Sequence, residues 1–192
     1  SHVDLNWLFA GSEGTLGSIV EAELGLVPFV PVQNRCLVIV HFDSMIGSLE
    51  AVPRLLEVNP AAIELLDKML ITRTRNNSKF SPLLTFIEGD PTAVLVVEFY
   101  GKNQKELESQ VQNLKTVLAR MGHQGSVTLA ITPEQQNQVW TVRKAGLGLL
   151  MSERSEAKPI AFIEDAAVPV ESLADYIRDI DEAVLREGTT YG

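Results

Sequence analysis

The chain has 192 residues, of which 45% are hydrophobic and 21% charged, and a formal net charge of −9. This length and composition predict one soluble globular domain with a real core and room for a small appendage. The acidic balance excludes nucleic acid as a partner, because phosphates require a basic surface. No apolar run approaches the roughly 20 residues of a transmembrane helix. We therefore expect a cytoplasmic protein, with peripheral attachment to a membrane as the alternative.

The N-terminal region contains three glycines in a short run, Gly11–Gly17, followed by alternating apolar residues. The alternation predicts a strand over Ile19–Leu26, and the prolines after it indicate a linker over Val27–Asn34. The glycine run has two interpretations. Glycine permits positive φ and close approach of backbone to a bound group, but a tight turn between strands needs the same residues.

Beyond residue 34 the pattern alternates between strands and helices four times. Strands are predicted over Arg35–Phe42, Ala93–Tyr100, Val127–Ile131 and Pro159–Ile163. Helices are predicted from Ser44 to about Val58 with a kink or split at Pro53, from Asn103 to about Met121, from Thr132 to about Leu150, and over Val170–Glu187. A short helix to about Ile71 follows the segment Ala61–Asp67, and Thr72–Ser81 is expected to be a mobile loop or a weak helix.

The fold class follows from this order of elements. Alternation often gives a parallel sheet, but no glycine-rich turn of the doubly wound type occurs after residue 34. We therefore expect an α+β fold, with an antiparallel sheet and helices packed on one face.

The cysteine and the histidines give no indication of a metal or redox site. Cys36 is the single cysteine and lies in the apolar run Cys36–Val40, which predicts a buried structural thiol in a reducing compartment. His2, His41 and His123 lack the spacing of metal ligands. His41 is expected to be a hydrogen-bonded histidine within the sheet.

Several segments in the same order resemble one family, the FAD-linked oxidases of the vanillyl-alcohol oxidase superfamily. The similar branch contains glycolate oxidase flavin subunits, D-lactate dehydrogenases and D-2-hydroxyglutarate dehydrogenases. The segments that carry the resemblance are Leu8-Phe-Ala-Gly-Ser-Glu-Gly-Thr-Leu-Gly17, Pro60-Ala-Ala-Ile-Glu-Leu-Leu-Asp67, Leu95-Val-Val-Glu-Phe99, Trp140-Thr-Val-Arg143 and Glu164-Asp-Ala-Ala-Val-Pro169. They span nearly the whole chain.

The resemblance implies a division into two parts and a set of site residues. The resemblance assigns residues 1–33 to the end of an FAD-binding domain plus a linker. It assigns residues 34–192 to a ferredoxin-like substrate-cap domain that is expected to be truncated at its C-terminal end. The FAD-contacting residues that it implies are Gly11, Ser12, Gly14, Thr15 and Gly17. Arg143 of the Trp-x-x-Arg motif is implied to bind the carboxylate of a D-2-hydroxy acid of the glycolate or D-lactate type, and no catalytic residue is implied within the chain.

Two departures from the family pattern concern dicarboxylic substrates. Related enzymes for such substrates have a hydroxyl residue one turn after the arginine, where this chain has Leu147, and a lysine where it has Ile163. Lys144 and Lys158 are the cations available to replace them. The resemblance therefore puts 2-hydroxyglutarate itself in doubt as the substrate.

We expect the chain to be a piece of a longer oxidoreductase, inactive and without FAD on its own. The resemblance implies that the longer protein has a divalent metal site near a later histidine segment, and an iron–sulfur module or a quinone as electron acceptor. The alternative is a non-catalytic ferredoxin-like domain that binds a ligand or another protein. An aryl-alcohol oxidase is disfavoured by the 6% aromatic content.

Two charged segments each have two interpretations. Glu164 and Asp165 suggest either acid–base chemistry or the edge of a strand, and we favour the edge of a strand. Arg73, Arg75 and Lys79 form a basic segment in an acidic chain. A solvated loop is the simpler interpretation, and a docking surface for an electron-transfer partner is the other.

Overall fold

A computed structural model describes residues 4–151 and 166–189 of the chain. Four strands form its sheet: β1 (Arg35–Phe42), β2 (Ala62–Asp67), β3 (Ala93–Tyr100) and β4 (Val127–Ala130). Six helices accompany them: α1 (Asn6–Phe9), α2 (Met45–Leu55), α3 (Lys68–Arg75), α4 (Gln104–Arg120), α5 (Pro133–Met151) and α6 (Leu173–Arg186). Short 3-10 turns lie at Val32–Asn34, Leu56–Val58, Ser81–Leu83 and Val170–Ser172.

The sheet is antiparallel throughout, with the strand order β2-β3-β1-β4. The central strands β1 and β3 pair along their whole length, from Arg35 opposite Tyr100 to Phe42 opposite Ala93. Helix α2 connects β1 to β2, and α4 connects β3 to β4, which gives the βαββαβ arrangement of ferredoxin-like folds. The predicted α+β fold with an antiparallel sheet is confirmed.

Helices cover both faces of the sheet, whereas the sequence predicted them on one. Cys36, Val38 and Val40 of β1 belong to the core cluster shared with α2 and α4. Leu37 and Ile39 belong to a second cluster, shared with α3 and α5. Strand β1 requires this coverage of both faces. Its apolar run is continuous, so apolar side chains lie on both faces of the sheet, and each face must be covered from water.

Local capping explains where several helices begin. Ser44 Oγ accepts a hydrogen bond from the Gly47 N–H, at 3.1 Å, and Asn103 Oδ1 accepts one from the Glu106 N–H, at 3.0 Å. At the start of α5, Thr132 Oγ1 accepts from the Gln135 N–H at 3.2 Å, while Gln135 Oε1 accepts from the Thr132 N–H at 3.1 Å. The two bonds between Thr132 and Gln135 form a capping box, a pattern that can be identified from the sequence.

Some predicted elements differ from the structure. Ile19–Leu26 forms no strand, because no described segment pairs with its backbone and its side chains are exposed. Pro53 lies within α2, which is not split there. Helix α3 continues to Arg75, so the first part of Thr72–Ser81 is helical, in agreement with the weak-helix alternative for that segment. The segment Ala61–Asp67 contains β2. The predicted strand Pro159–Ile163 lies outside the described residues.

His41 and His123 have structural roles. His41 is 3% exposed; its Nδ1 lies 2.9 Å from the Ser126 carbonyl oxygen and its Nε2 accepts from the Glu88 N–H at 3.1 Å. His123 packs against Phe42, and burial lowers its pKa. The expectation of a hydrogen-bonded sheet histidine at position 41 is confirmed.

Cys36 should be almost unreactive in the folded chain. It is 2% exposed, and burial, followed by the charge of Glu98, raises its pKa to about 11. At pH 8 roughly one thiol in a thousand would then be ionised, and only the thiolate is nucleophilic. We expect alkylation by iodoacetamide to be at least about a hundredfold slower in buffer than in denaturing urea. Equal rates in the two conditions would contradict the buried position.

Candidate functional site

Arg143 lies on the helix that covers the second face of the sheet. Val139 and Val142 of α5 are fully buried against that face, and Trp140 packs on the same core cluster. The Arg143 side chain is 49% exposed, so its guanidinium reaches solvent while the helix beneath it is fixed. The helix therefore presents this side chain from a rigid base.

The guanidinium of Arg143 is paired with a carboxylate from the sheet. Its Nε donates to Glu64 Oε2 at 2.7 Å. Glu64 belongs to β2, where it lies opposite Val96 and faces the same side as Leu66 of the second core cluster. Sequence reasoning did not find Glu64 as a site residue, because it is 79 positions from Arg143 and its segment was not recognised as a strand.

A second charged group lies on the same face, on the neighbouring strand. Glu98 of β3 is 6% exposed. Its Oε1 lies 3.9 Å from an Arg35 Nη atom, and its Oε2 accepts from the Tyr100 hydroxyl at 3.4 Å. Burial raises the pKa of Glu98; Arg35 and the Tyr100 hydroxyl oppose this effect, and the charge of Glu64 adds to it. The two glutamates are therefore electrostatic neighbours.

Arg35 also holds the linker against the sheet. Its guanidinium donates to the Val30 carbonyl oxygen, at 2.7 Å from Nε, and lies 5.4 Å from the ring centroids of Phe29 and Tyr100. Gln136 of α5 is 1% exposed, and the two hydrogens of its Nε2 are shared among three carbonyl oxygens within hydrogen-bond distance. These belong to Val32 at 3.3 Å, Arg35 at 3.0 Å and Ile131 at 2.8 Å. The linker is thus tied to the same end of the sheet as Glu98.

The glycine loop at Gly11–Gly17 is open to solvent. Gly11 and Gly14 have φ values of 82° and 78°, and a Cβ at either position would meet nothing within 4 Å. Thr15 Oγ1 donates to the Ser12 carbonyl oxygen at 2.7 Å, which closes the turn. Among residues 4–151 and 166–189, no hydrogen bond joins this loop to Arg143.

The remaining predicted site residues fall into three groups. Leu147, one helical turn after Arg143, is 62% exposed. Arg75 is paired with Asp90, and Lys68 Nζ lies 2.5 Å from the same carboxylate, so part of the basic segment is internally neutralised. Lys158, Ile163, Glu164 and Asp165 lie outside the described residues.

The described residues contain neither a cluster of metal ligands nor a membrane-spanning helix. No group of three or more histidine, cysteine, aspartate or glutamate side chains in that part of the chain could hold a metal ion. Among the helices described, none has the length and apolar character needed to cross a bilayer.

Comparison with curated proteins gives relatives of known name. The chain is 33% identical to a D-2-hydroxyglutarate dehydrogenase of Pseudomonas putida, over 98% of this chain and 19% of that protein. It is 31% identical to the protein of the same name in Escherichia coli, with the same two coverages. It is 28% identical to the glycolate oxidase subunit GlcD of Bacillus subtilis, over 93% of this chain and 36% of that subunit. The chain thus spans about a fifth to a third of the proteins it matches.

The family comparison covers most of the chain. Residues 32–192 match the model described as FAD linked oxidases, C-terminal domain. The match begins at the linker and includes the whole antiparallel sheet, Glu64 and Arg143. The chain therefore belongs to the FAD-linked oxidase family, and residues 32–192 match the C-terminal domain of that family.

Proposed function

We propose that this chain is part of a longer FAD-dependent dehydrogenase or oxidase that acts on a D-2-hydroxy acid. Residues 1–33 would be the end of its FAD-binding domain plus the linker, and residues 34–192 its substrate-cap domain. The observation that carries the proposal is the solvent-reaching guanidinium of Arg143, on a helix packed against the sheet within the matched domain. The names of the relatives, all acting on 2-hydroxy acids, support it.

The glycine loop fits one side of a bound FAD. Its backbone is exposed and positive in φ at Gly11 and Gly14, where a side chain would lie between the backbone and a ligand. The hydroxyls of Ser12 and Thr15 and the backbone at Gly17 complete the set of candidate contacts. When bound, FAD would supply the acceptor for the hydride that leaves the hydroxy acid.

Arg143 would hold the carboxylate of the substrate. A planar guanidinium can donate two parallel hydrogen bonds to a carboxylate, which fixes the orientation of the molecule as well as its position. Holding the carboxylate also fixes the direction of the neighbouring C–H bond, and that orientation lowers the barrier to its transfer. The electron acceptor of the longer protein, an iron–sulfur module or a quinone, belongs to the same proposal.

The surface next to Arg143 favours a monocarboxylate. Leu147 lies four residues further along α5 and is 62% exposed, so it places an apolar side chain on the same face of the helix. The methyl group of D-lactate, or the hydrogen that glycolate has in its place, can lie against the Leu147 side chain without losing a hydrogen bond. A second carboxylate placed against Leu147 would lose water there without gaining a hydrogen bond from that side chain. D-2-Hydroxyglutarate, named for several relatives, is the competing substrate.

Flavin reduction tests both parts of the proposal. The longer protein, purified with its flavin and mixed anaerobically with substrate, should lose its oxidised-flavin absorbance with D-lactate or glycolate. We expect D-2-hydroxyglutarate to reduce the flavin about tenfold less effectively than D-lactate or glycolate does. Leu147→Thr should make this difference between the substrates smaller. L-Lactate serves as the stereochemical control. No reduction by any 2-hydroxy acid would refute the proposed activity, and a preference for D-2-hydroxyglutarate would refute only the monocarboxylate preference.

A further inference from the structure

We infer that Glu64 is a positioning residue, which holds the guanidinium of Arg143 in the orientation that a substrate carboxylate requires. The inference rests on the proposed function of Arg143 and adds a residue to it. It starts from the hydrogen bond of 2.7 Å between Arg143 Nε and Glu64 Oε2, which joins α5 to the edge strand β2.

Arg143 donates this hydrogen bond from Nε and not from an Nη atom. Nε carries a single hydrogen and lies at the base of the guanidinium, while the two Nη groups carry four hydrogens at its tip. A bond from Nε therefore fixes the rotation of the guanidinium plane and leaves the tip available to another carboxylate. Arginine side chains lose considerable rotational freedom when they bind a ligand. An arginine side chain that is already held by a hydrogen bond loses less rotational freedom when the ligand binds.

Both ends of this bond are held by rigid structure. Glu64 lies in register opposite Val96, and its neighbours Ile63 and Leu65 pack on the other face of the sheet. A shift of register by one residue would turn Glu64 away from α5. At the other end, the buried residues Val139 and Val142 fix the helix that carries Arg143. The bond therefore connects two elements whose backbones cannot readily move.

The charges around the pair allow an opposite role, which makes the inference testable. Glu64 is itself a carboxylate, 36% exposed, and Glu98 on the next strand is close enough to feel its charge. Glu64 could therefore compete with a substrate for Arg143 instead of positioning it. Positioning predicts that removal of Glu64 weakens substrate binding, whereas competition predicts that it strengthens binding. The two roles therefore predict opposite changes in substrate binding when Glu64 is removed.

Steady-state kinetics of the longer flavin-containing protein separates these roles. We expect Glu64→Ala to raise KM for D-lactate about tenfold with a smaller effect on kcat. Glu64→Gln retains an acceptor oxygen and should restore most of the loss. The matched control is Glu50→Ala, which breaks the ion pair of Glu50 with Arg178, far along the chain from β2 and α5. An unchanged or lowered KM in Glu64→Ala would overturn the inference.

A second measurement on the 192-residue chain does not depend on turnover. The Nε–Hε NMR signal of Arg143, identified by its loss in Arg143→Lys, should be sharp and slow to exchange in the unmodified chain. It should broaden or shift in Glu64→Ala, and Glu50→Ala should leave it in place. The same signal in Glu64→Ala as in the unmodified chain would show that the bond is absent in solution. If Arg143→Ala leaves the kinetics unchanged, the proposed role of Arg143 in substrate binding fails, whatever Glu64 does, and the proposed activity itself is unaffected.

Discussion

Replacing Arg143 by alanine should lower kcat/KM for a D-2-hydroxy acid by about a hundredfold in the longer flavin-containing protein. Loss of one partner of a buried hydrogen-bonded charge pair costs about 2–5 kcal/mol, and each 1.4 kcal/mol corresponds to a factor of ten. We choose the lower part of this range because the Arg143 side chain is 49% exposed. Arg143→Lys should lose about tenfold, because an ammonium group keeps the charge but not the planar fork.

The test compares kcat and KM of Arg143→Ala and Arg143→Lys with those of a control variant at an arginine elsewhere in the chain. Arg178 on α6 is similarly exposed and also forms ion pairs, with Glu50 and Asp175. Arg178→Ala should leave kcat/KM within about twofold, since surface ion pairs contribute little. Thermal unfolding of all three variants would separate loss of binding from loss of fold. An Arg143→Ala variant with ordinary kinetics would remove the main site residue of the proposal.

Replacing Gly125 by alanine should destabilise the chain strongly. A Cβ at this position would lie 2.0 Å from the His41 carbonyl oxygen and 2.9 Å from two ring atoms of His123. The carbonyl belongs to β1, which is hydrogen-bonded here to the strand entry at Ser126, so relief requires the backbones to separate. We expect the free energy of unfolding to fall by about 3 kcal/mol. The midpoint of thermal unfolding should fall by roughly 6–12 °C.

Gly148 in α5 provides the matched control for this substitution. A Cβ there would meet nothing within 4 Å, and the residue is exposed in the helix. Gly148→Ala should therefore raise the free energy of unfolding by about 0.5–1 kcal/mol, because alanine favours the helix over glycine. Urea unfolding followed by circular dichroism measures both changes. Similar stability for the two alanine variants would contradict the close packing of Gly125 against β1.

Local signals in the sequence were sufficient for most of the elements. The β-branched run Arg35–Phe42 and the run Ala93–Tyr100 are strands with the predicted bounds, because a fully buried strand leaves a continuous apolar pattern. Asn103 and Thr132 cap helices as predicted, because their bonds join residues only three apart. Such short-range interactions depend little on the rest of the fold.

Pairing between distant segments could not be predicted in the same way. The segment Ala61–Asp67 has mixed apolar and acidic residues, and it becomes a strand because β3 provides its hydrogen-bonding partner. Ile19–Leu26 has the clearer strand alternation and yet forms none, because no described segment pairs with it. Strand formation depends on a partner, whereas alternation reports only which side chains would share a face.

The sequence by itself determined the glycine run, the caps, the buried strands and the family, since these depend on residue type and on spacing along the chain. It also singled out Arg143, through the resemblance of its motif. Only the tertiary structure decided that helices cover both faces of the sheet and that Glu64 lies 2.7 Å from Arg143. The physical reason is that register and packing bring together groups 79 residues apart, and no local pattern records such a contact.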